Sequence, residues 1–76
     1  MKAYELISSK SKWNRGGLAA HSMCAAQAID RAYNNNREHL RALDKLRKHT
    51  KCLHVTQWND DNTWETVYST LKKLDI

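Results

Sequence analysis

The chain has 76 residues, with 13 Lys and Arg against 8 Asp and Glu, and a formal net charge of +5. A chain of this length is expected to form one domain, residues 1–76, with a thin core. Val and Ile are few, Pro is absent and Gly occurs only twice, which argues against a β-rich architecture. No apolar run reaches the length of a membrane span, and no leader pattern is visible, so we expect a cytoplasmic protein with reduced thiols.

The first part of the chain predicts two helices separated by a loop. Residues 2–10 predict a short helix, because their apolar side chains fall near one face. Residues 11–17 break the pattern, end in two glycines that favour a turn, and contain Trp13, which we expect to fill the core. Residues 18–33 predict the second helix, with a narrow stripe of mostly small residues: Cys24, Ala25, Ala28, Ile29 and Ala32.

The third predicted helix, residues 37–50, is the most clearly amphipathic. Three asparagines precede it, and they are suited to end the second helix and to cap this one. Leu40, Leu43 and Leu46 mark the predicted inner face. The outer face carries basic residues at spacings of four, four and three: Arg37, Arg41, Lys45 and Lys48.

A stretch rich in Trp, Asn and Asp, residues 55–65, is predicted to be the turn around which the chain is organised. Residues 53–55 read as a short extended link into it. Asn62 is predicted to cap the last helix, with Glu65 completing a capping box. We expect the last helix to bury the stripe Trp64, Val67, Leu71 and Leu74. The predicted structural hub consists of Trp13, Trp58, Asn59, Asp60, Asn62 and Trp64.

These elements predict an all-α fold, a compact bundle of about four short helices with a Trp-centred core. The acidic turn does not predict a calcium site. A calcium loop beginning at Asn59 needs Gly at its sixth position and Glu at its twelfth, where this chain has Trp64 and Thr70.

Two cysteines and two histidines are donors that tetrahedral zinc prefers: His21, Cys24, Cys52 and His54. However, one residue between Cys52 and His54 is a tighter spacing than usual, and cysteine is commonly buried without a metal. We therefore expect neither a metal nor a cofactor. A cysteine, a histidine and an aspartate are the residue types that a catalytic triad requires. The chain contains no nucleophile elbow or phosphate-binding glycine loop, so we predict no enzymatic activity.

Two binding functions are compatible with the sequence. Aromatic residues left exposed beside arginine are typical interface anchors, so our leading hypothesis is an interaction module that binds a protein partner. The alternative is nucleic-acid binding, because the basic repeat of the third helix is spaced to meet phosphates. No helix-turn-helix signature or RNA-binding aromatic motif accompanies it. Both a monomer and a homodimer are compatible with the sequence.

Three motifs together resemble an uncharacterised family of small bacterial and bacteriophage domains, over residues 3–74. They are Trp13 with Gly16–Gly17, Cys24–Ala25–Ala26–Gln27–Ala28–Ile29, and Val55–Thr56–Gln57–Trp58–Asn59–Asp60. Gln27 stands where that family usually has Gly. The resemblance implies that Cys24, Trp58, Asn59 and Asp60 are fold determinants, and it implies no activity. The resemblance also gives the protein-binding hypothesis a specific form, in which the chain is a phage-encoded modulator or inhibitor of a host protein.

Overall fold

A computed structural model describes residues 1–15 and 21–76 of the chain. Within these ranges the chain forms no β-strand. It forms a 3-10 turn at Lys10–Lys12 and five α-helices: α1 Ala3–Leu6, α2 Ala25–Ala32, α3 Asn36–Thr50, α4 Val55–Asp60 and α5 Trp64–Lys73. The helical architecture predicted from the sequence is confirmed. The predicted glycine turn and residues 18–20 of the second predicted helix lie outside the described residues.

The domain measures 28 × 23 × 20 Å along its principal axes. None of the helices in the described part of the chain is both long enough and apolar enough to span a membrane.

The first two helices are shorter than the sequence predicted. The α1 helix stops at Leu6, and the carbonyl of Ile7 accepts a hydrogen bond from Trp64 Nε1 at 2.8 Å. In α2, Cys24 is the N-cap residue with an extended backbone and is not part of the helix. The Gln27 side chain accepts the Cys24 N–H at 3.1 Å and so stabilises the start of α2.

Helix α3 begins at Asn36, one residue before the predicted start. As predicted, one of the three asparagines caps it: Asn35 accepts the Arg37 N–H at 2.8 Å. The predicted inner face is partly wrong: Leu46 is fully buried, but Leu40 is 59% exposed. Each step of three residues rotates the side chain by about 60°, so Leu40 lies about 120° from Leu46 around the helix axis. Ala42, on the other side of Leu46, is buried in its place.

The predicted turn before the last helix is instead the short helix α4, which starts at Val55. Of the predicted extended link, residues 53–54 lie outside this helix, and His54 has an extended backbone. The predicted cap of the last helix is also one residue off. Thr63 is the N-cap of α5, and its Oγ1 accepts the Thr66 N–H at 3.3 Å. The Asn62 side chain instead closes the end of α4, where its amide donates to the carbonyl of Trp58 at 2.7 Å.

The fully buried core is aliphatic, and the aromatic residues surround it. Its largest side chains are Ile7, Ile29, Leu46, Leu71, Ile76 and Val67. Trp13 and Trp58 pack against this cluster while partly buried. Ala25 and Ala28 of α2 have no exposed surface, and such small side chains let neighbouring helices approach α2 closely.

One buried amide connects α4 to the rest of the fold. Among residues 1–15 and 21–76, Asn59 is the one polar residue that is fully buried. Its Oδ1 accepts from Trp13 Nε1 at 2.6 Å and from the Ala25 N–H at 2.9 Å. Its Nδ2 donates to the Asn14 carbonyl at 3.0 Å and to Asp60 Oδ1 at 3.2 Å. Two acceptances and two donations use the whole hydrogen-bonding capacity of the side chain.

The Trp13 segment is held beside Asn59 by its own backbone bonds. Asn14 N–H donates to the Met23 carbonyl at 3.1 Å, and Met23 N–H donates to the Lys12 carbonyl at 2.9 Å. Arg15 donates from Nε and Nη2 to the Asn62 carbonyl at 3.1 and 2.8 Å. The chain before and after residues 16–20 therefore meets at the end of α4.

We expect Asn59→Ala to lower the free energy of unfolding by about 2 kcal/mol or more, because two donors lose their acceptor and each orphaned buried group costs about 1–3 kcal/mol. Urea denaturation followed by circular dichroism measures this. Asn34→Ala is the matched control, since Asn34 is exposed and should change stability little. Equal losses in the two variants would show that the Asn59 hydrogen bonds do not hold the fold.

Candidate interaction surfaces

The basic residues predicted on the outer face of the third helix are all exposed on α3: Arg37, Arg41, Lys45 and Lys48. We call these four residues the basic stripe. Within the described residues the salt bridges join Lys2 to Asp75 and His39 to Asp30, so no carboxylate pairs with the stripe. The stripe extends about 16 Å along the helix, and its members fall within an arc of about 80°. It therefore presents four cations to solvent that make no direct ion pair with the described residues.

The cavity beside the stripe has a mixed charge. It has a volume of about 210 Å³, and its lining includes Arg41, Lys45, Lys2, Glu38, Tyr33 and Asp75. The hydrogen bond from Lys2 to the Asp75 carboxylate raises the pKa of Lys2. Burial raises the pKa of the Tyr33 phenol, which donates to the carbonyl of Ile76. The acids inside this cavity make it a poor site for an anion.

A second surface lies where α3 ends and α4 begins. Cys52, Leu53, His54, Gln57, Trp58 and Asp61 line a cavity of about 360 Å³, which we call the α4 groove. Lys51 leaves α3 in a left-handed conformation, with φ of 59°, and α4 starts only at Val55. Leu53 therefore lies on a short connector, and it is 82% exposed. Its neighbour in the groove, Trp58, is half-buried and packs against the core.

A third surface opens between α2, α3 and α4, with a volume of about 300 Å³. His39, Arg47 and His54 line it, and we call it the basic cleft. Its other lining residues carry no charge: Ala26, Leu43, Val55 and Thr56. His54 is the N-cap residue of α4 and also lines the α4 groove, so the two surfaces adjoin. This cleft has no signal in the sequence, because His39 and Arg47 join His54 only through the packing of α3 against α4.

The four zinc-type residues do not form one group. Cys24 is buried at the start of α2, whereas Cys52 is half-buried and its Sγ accepts from Thr50 Oγ1 at 3.1 Å. His21 and His54 are both exposed. Throughout residues 1–15 and 21–76, no three His, Cys, Asp or Glu side chains are placed to share a metal ion.

The predicted hub residues occupy three places in the fold. Trp13, Asn59 and Asp60 meet at the end of α4 through the amide of Asn59. Trp58 and Asn62 line the α4 groove. Trp64 lies against α1 and stacks on Tyr68, with ring centroids 5.4 Å apart.

A model of a protein family, described as a family of unknown function and designated DUF6197, matches residues 1–74 of the chain. The chain belongs to this family. No curated protein and no solved structure shows a significant match to it. Membership in DUF6197 confirms an uncharacterised domain family over nearly the whole chain, and it leaves the function to be argued from the three surfaces.

We expect zinc and a chelator to leave the melting temperature of this DUF6197 domain unchanged, since the described residues assemble no metal site. Thermal denaturation under reducing conditions, with zinc or with EDTA, measures this. Cys52→Ser is the control and should melt in the same way under both conditions. A rise in melting temperature with zinc that Cys52→Ser abolishes would contradict the expectation.

Proposed function

We propose that this domain is a non-enzymatic interaction module that binds a protein partner through the α4 groove. The observation that carries the proposal is the exposure of Leu53, at 82%, beside the half-buried Trp58. Tryptophan in a pocket is a typical energetic anchor of a protein interface. A phage-encoded modulator or inhibitor of a host protein would be one form of such a module.

The small size of the chain strengthens this proposal. A domain of 76 residues has little apolar surface to bury, so each large apolar side chain left in solvent is a lost contribution to its stability. Leu53 is held outside the core by the short connector between α3 and α4. A partner that covered Leu53 and Trp58 together would bury a continuous apolar surface, which is the main favourable term in protein association.

We expect Leu53→Glu to abolish partner capture without unfolding the domain, because a charge in the centre of an apolar contact is left without a partner. Immobilised wild-type and variant domains are incubated with a bacterial lysate, and the retained proteins are quantified by mass spectrometry. Leu40→Glu is the matched control, since Leu40 is also exposed but does not line the α4 groove. Retention of the same proteins by wild type and Leu53→Glu would refute the groove as the contact surface.

A second function, nucleic-acid binding, is supported by the unpaired cations of the basic stripe. Phosphate binding releases counterions from the nucleic acid, and exposed arginine and lysine without carboxylate partners are free to supply this interaction. The regular four-residue repeat gives one cation for about every 6 Å of helix.

If the stripe binds nucleic acid, affinity for duplex DNA should fall roughly 100-fold between about 50 and 200 mM salt, as four phosphate contacts predict. Arg41→Glu with Lys45→Glu should remove the binding. The control, Lys10→Glu with Lys12→Glu, changes the net charge equally on another exposed segment. Fluorescence anisotropy with a labelled duplex measures both. Equal losses in the two double variants would attribute binding to net charge and not to the stripe.

A further inference from the structure

The basic cleft combines groups that bind carboxylates. Arg47 lines the cleft, and the planar guanidinium of an arginine matches a carboxylate with two parallel hydrogen bonds. His39 and His54 each supply at least one N–H donor, whichever protonation state they are in. The remaining lining side chains are apolar apart from Thr56, so the lining itself contains no acid.

Arg47 is available for a partner. Within the part of the chain that the structure describes, it makes no salt bridge. Asp30, a carboxylate outside the lining, faces His39 instead, with 3.5 Å between its Oδ1 and His39 Nδ1. Since Arg47 and His39 are eight residues apart, the cleft follows α3 for about 12 Å.

The cleft and the α4 groove meet at His54, which lines both. The two surfaces differ in character. The α4 groove is mainly apolar, and its acidic residue, Asp61, accepts from Gln57 Nε2 at 2.9 Å. A carboxylate would be repelled by Asp61 in the groove and attracted by Arg47 in the cleft. The pair of surfaces therefore distinguishes an apolar side chain from an acidic one.

We infer that the protein partner presents an acidic amphipathic segment. An apolar side chain of the segment fills the α4 groove against Leu53 and Trp58, and neighbouring carboxylates pair with Arg47 and the two histidines of the basic cleft. The inference rests on the proposed function and adds the chemistry of the partner. A nucleic acid fits this pair of surfaces less well, because the groove carries an acid and an aliphatic side chain where phosphates and bases would lie.

The cleft is separate from the basic stripe, which allows a clean test. Arg47 lies about 120° from Arg41 around α3, whereas Lys48 belongs to the stripe. Arg47→Glu and Lys48→Glu thus change the net charge equally, on neighbouring residues of one helix, but only the first alters the cleft. The backbone role of Arg47, whose carbonyl accepts the Lys51 N–H, is kept in both variants.

The test uses an array of synthetic peptides in which a Leu or Trp anchor is flanked by Glu, by Lys or by Ser. We expect labelled wild-type protein to bind the Glu set. Arg47→Glu should weaken that binding about tenfold or more, as the loss of charge-assisted hydrogen bonds requires. Lys48→Glu should bind as wild type does. Arg47→Ala is a second variant that removes the charge without reversing it.

Three results would overturn the inference. In the first, the protein binds the Glu, Lys and Ser sets equally, and only Leu53→Glu loses this binding. That result would keep the α4 groove as a contact surface but refute an acidic partner. In the second, no peptide set binds, which would refute the acidic segment. The proposed function is tested separately, by comparing the proteins that wild type and Leu53→Glu retain from the lysate. Displacement of bound Glu peptides by a single-stranded oligonucleotide, with equal sensitivity to Lys48→Glu, would assign the surface to nucleic acid.

Discussion

The fold depends on the amide of Asn59, a polar group placed where water cannot reach it. Such a group is costly unless every donor and acceptor is matched, and here all four positions are used. The partners come from the Trp13 segment, from the start of α2 and from α4 itself. One side chain therefore sets the position of three segments, and an alternative packing of α4 would leave buried N–H groups without acceptors.

The position of α4 decides which surfaces the domain presents. With its end held by Asn59, α4 packs beside α2, whose buried alanines permit the close approach. The connector that joins α3 to this helix, residues 51–54, is short, and Leu53 on it is 82% exposed. Trp58 directly precedes Asn59 in α4, so the groove beside Trp58 depends on the position in which Asn59 holds this helix. A single structural constraint links the stability of the domain to its proposed contact surface.

Periodicity predicted the long elements well and the short ones poorly. The amphipathic pattern of α3 and the capping asparagine before it could be read directly, because both are local signals. Helix α4 has six residues, fewer than two turns, so its pattern is too short to separate it from a turn. The importance of Trp13, Asn59 and Asp60 was evident from their residue types. Their hydrogen bonds were not, since Trp13 and Asn59 are 46 residues apart in the chain.

The sequence also does not show how the positive charges are placed in the fold, and their placement distinguishes the two proposed binding functions. Composition shows an excess of cations, but it does not show how they divide around α3. The residues of the basic stripe are exposed to solvent. Arg47 instead lines the basic cleft, together with apolar side chains and the two histidines His39 and His54. Cations in open solvent attract any polyanion weakly and with strong salt dependence. The charge of a cation in a cleft is less screened by salt than that of one in open solvent. With the apolar α4 groove adjoining it, such a cation favours a ligand that carries a carboxylate and an apolar group together. The division of charge between two faces of α3, more than the net charge, is the physical basis for the proposal of an acidic protein segment as the partner.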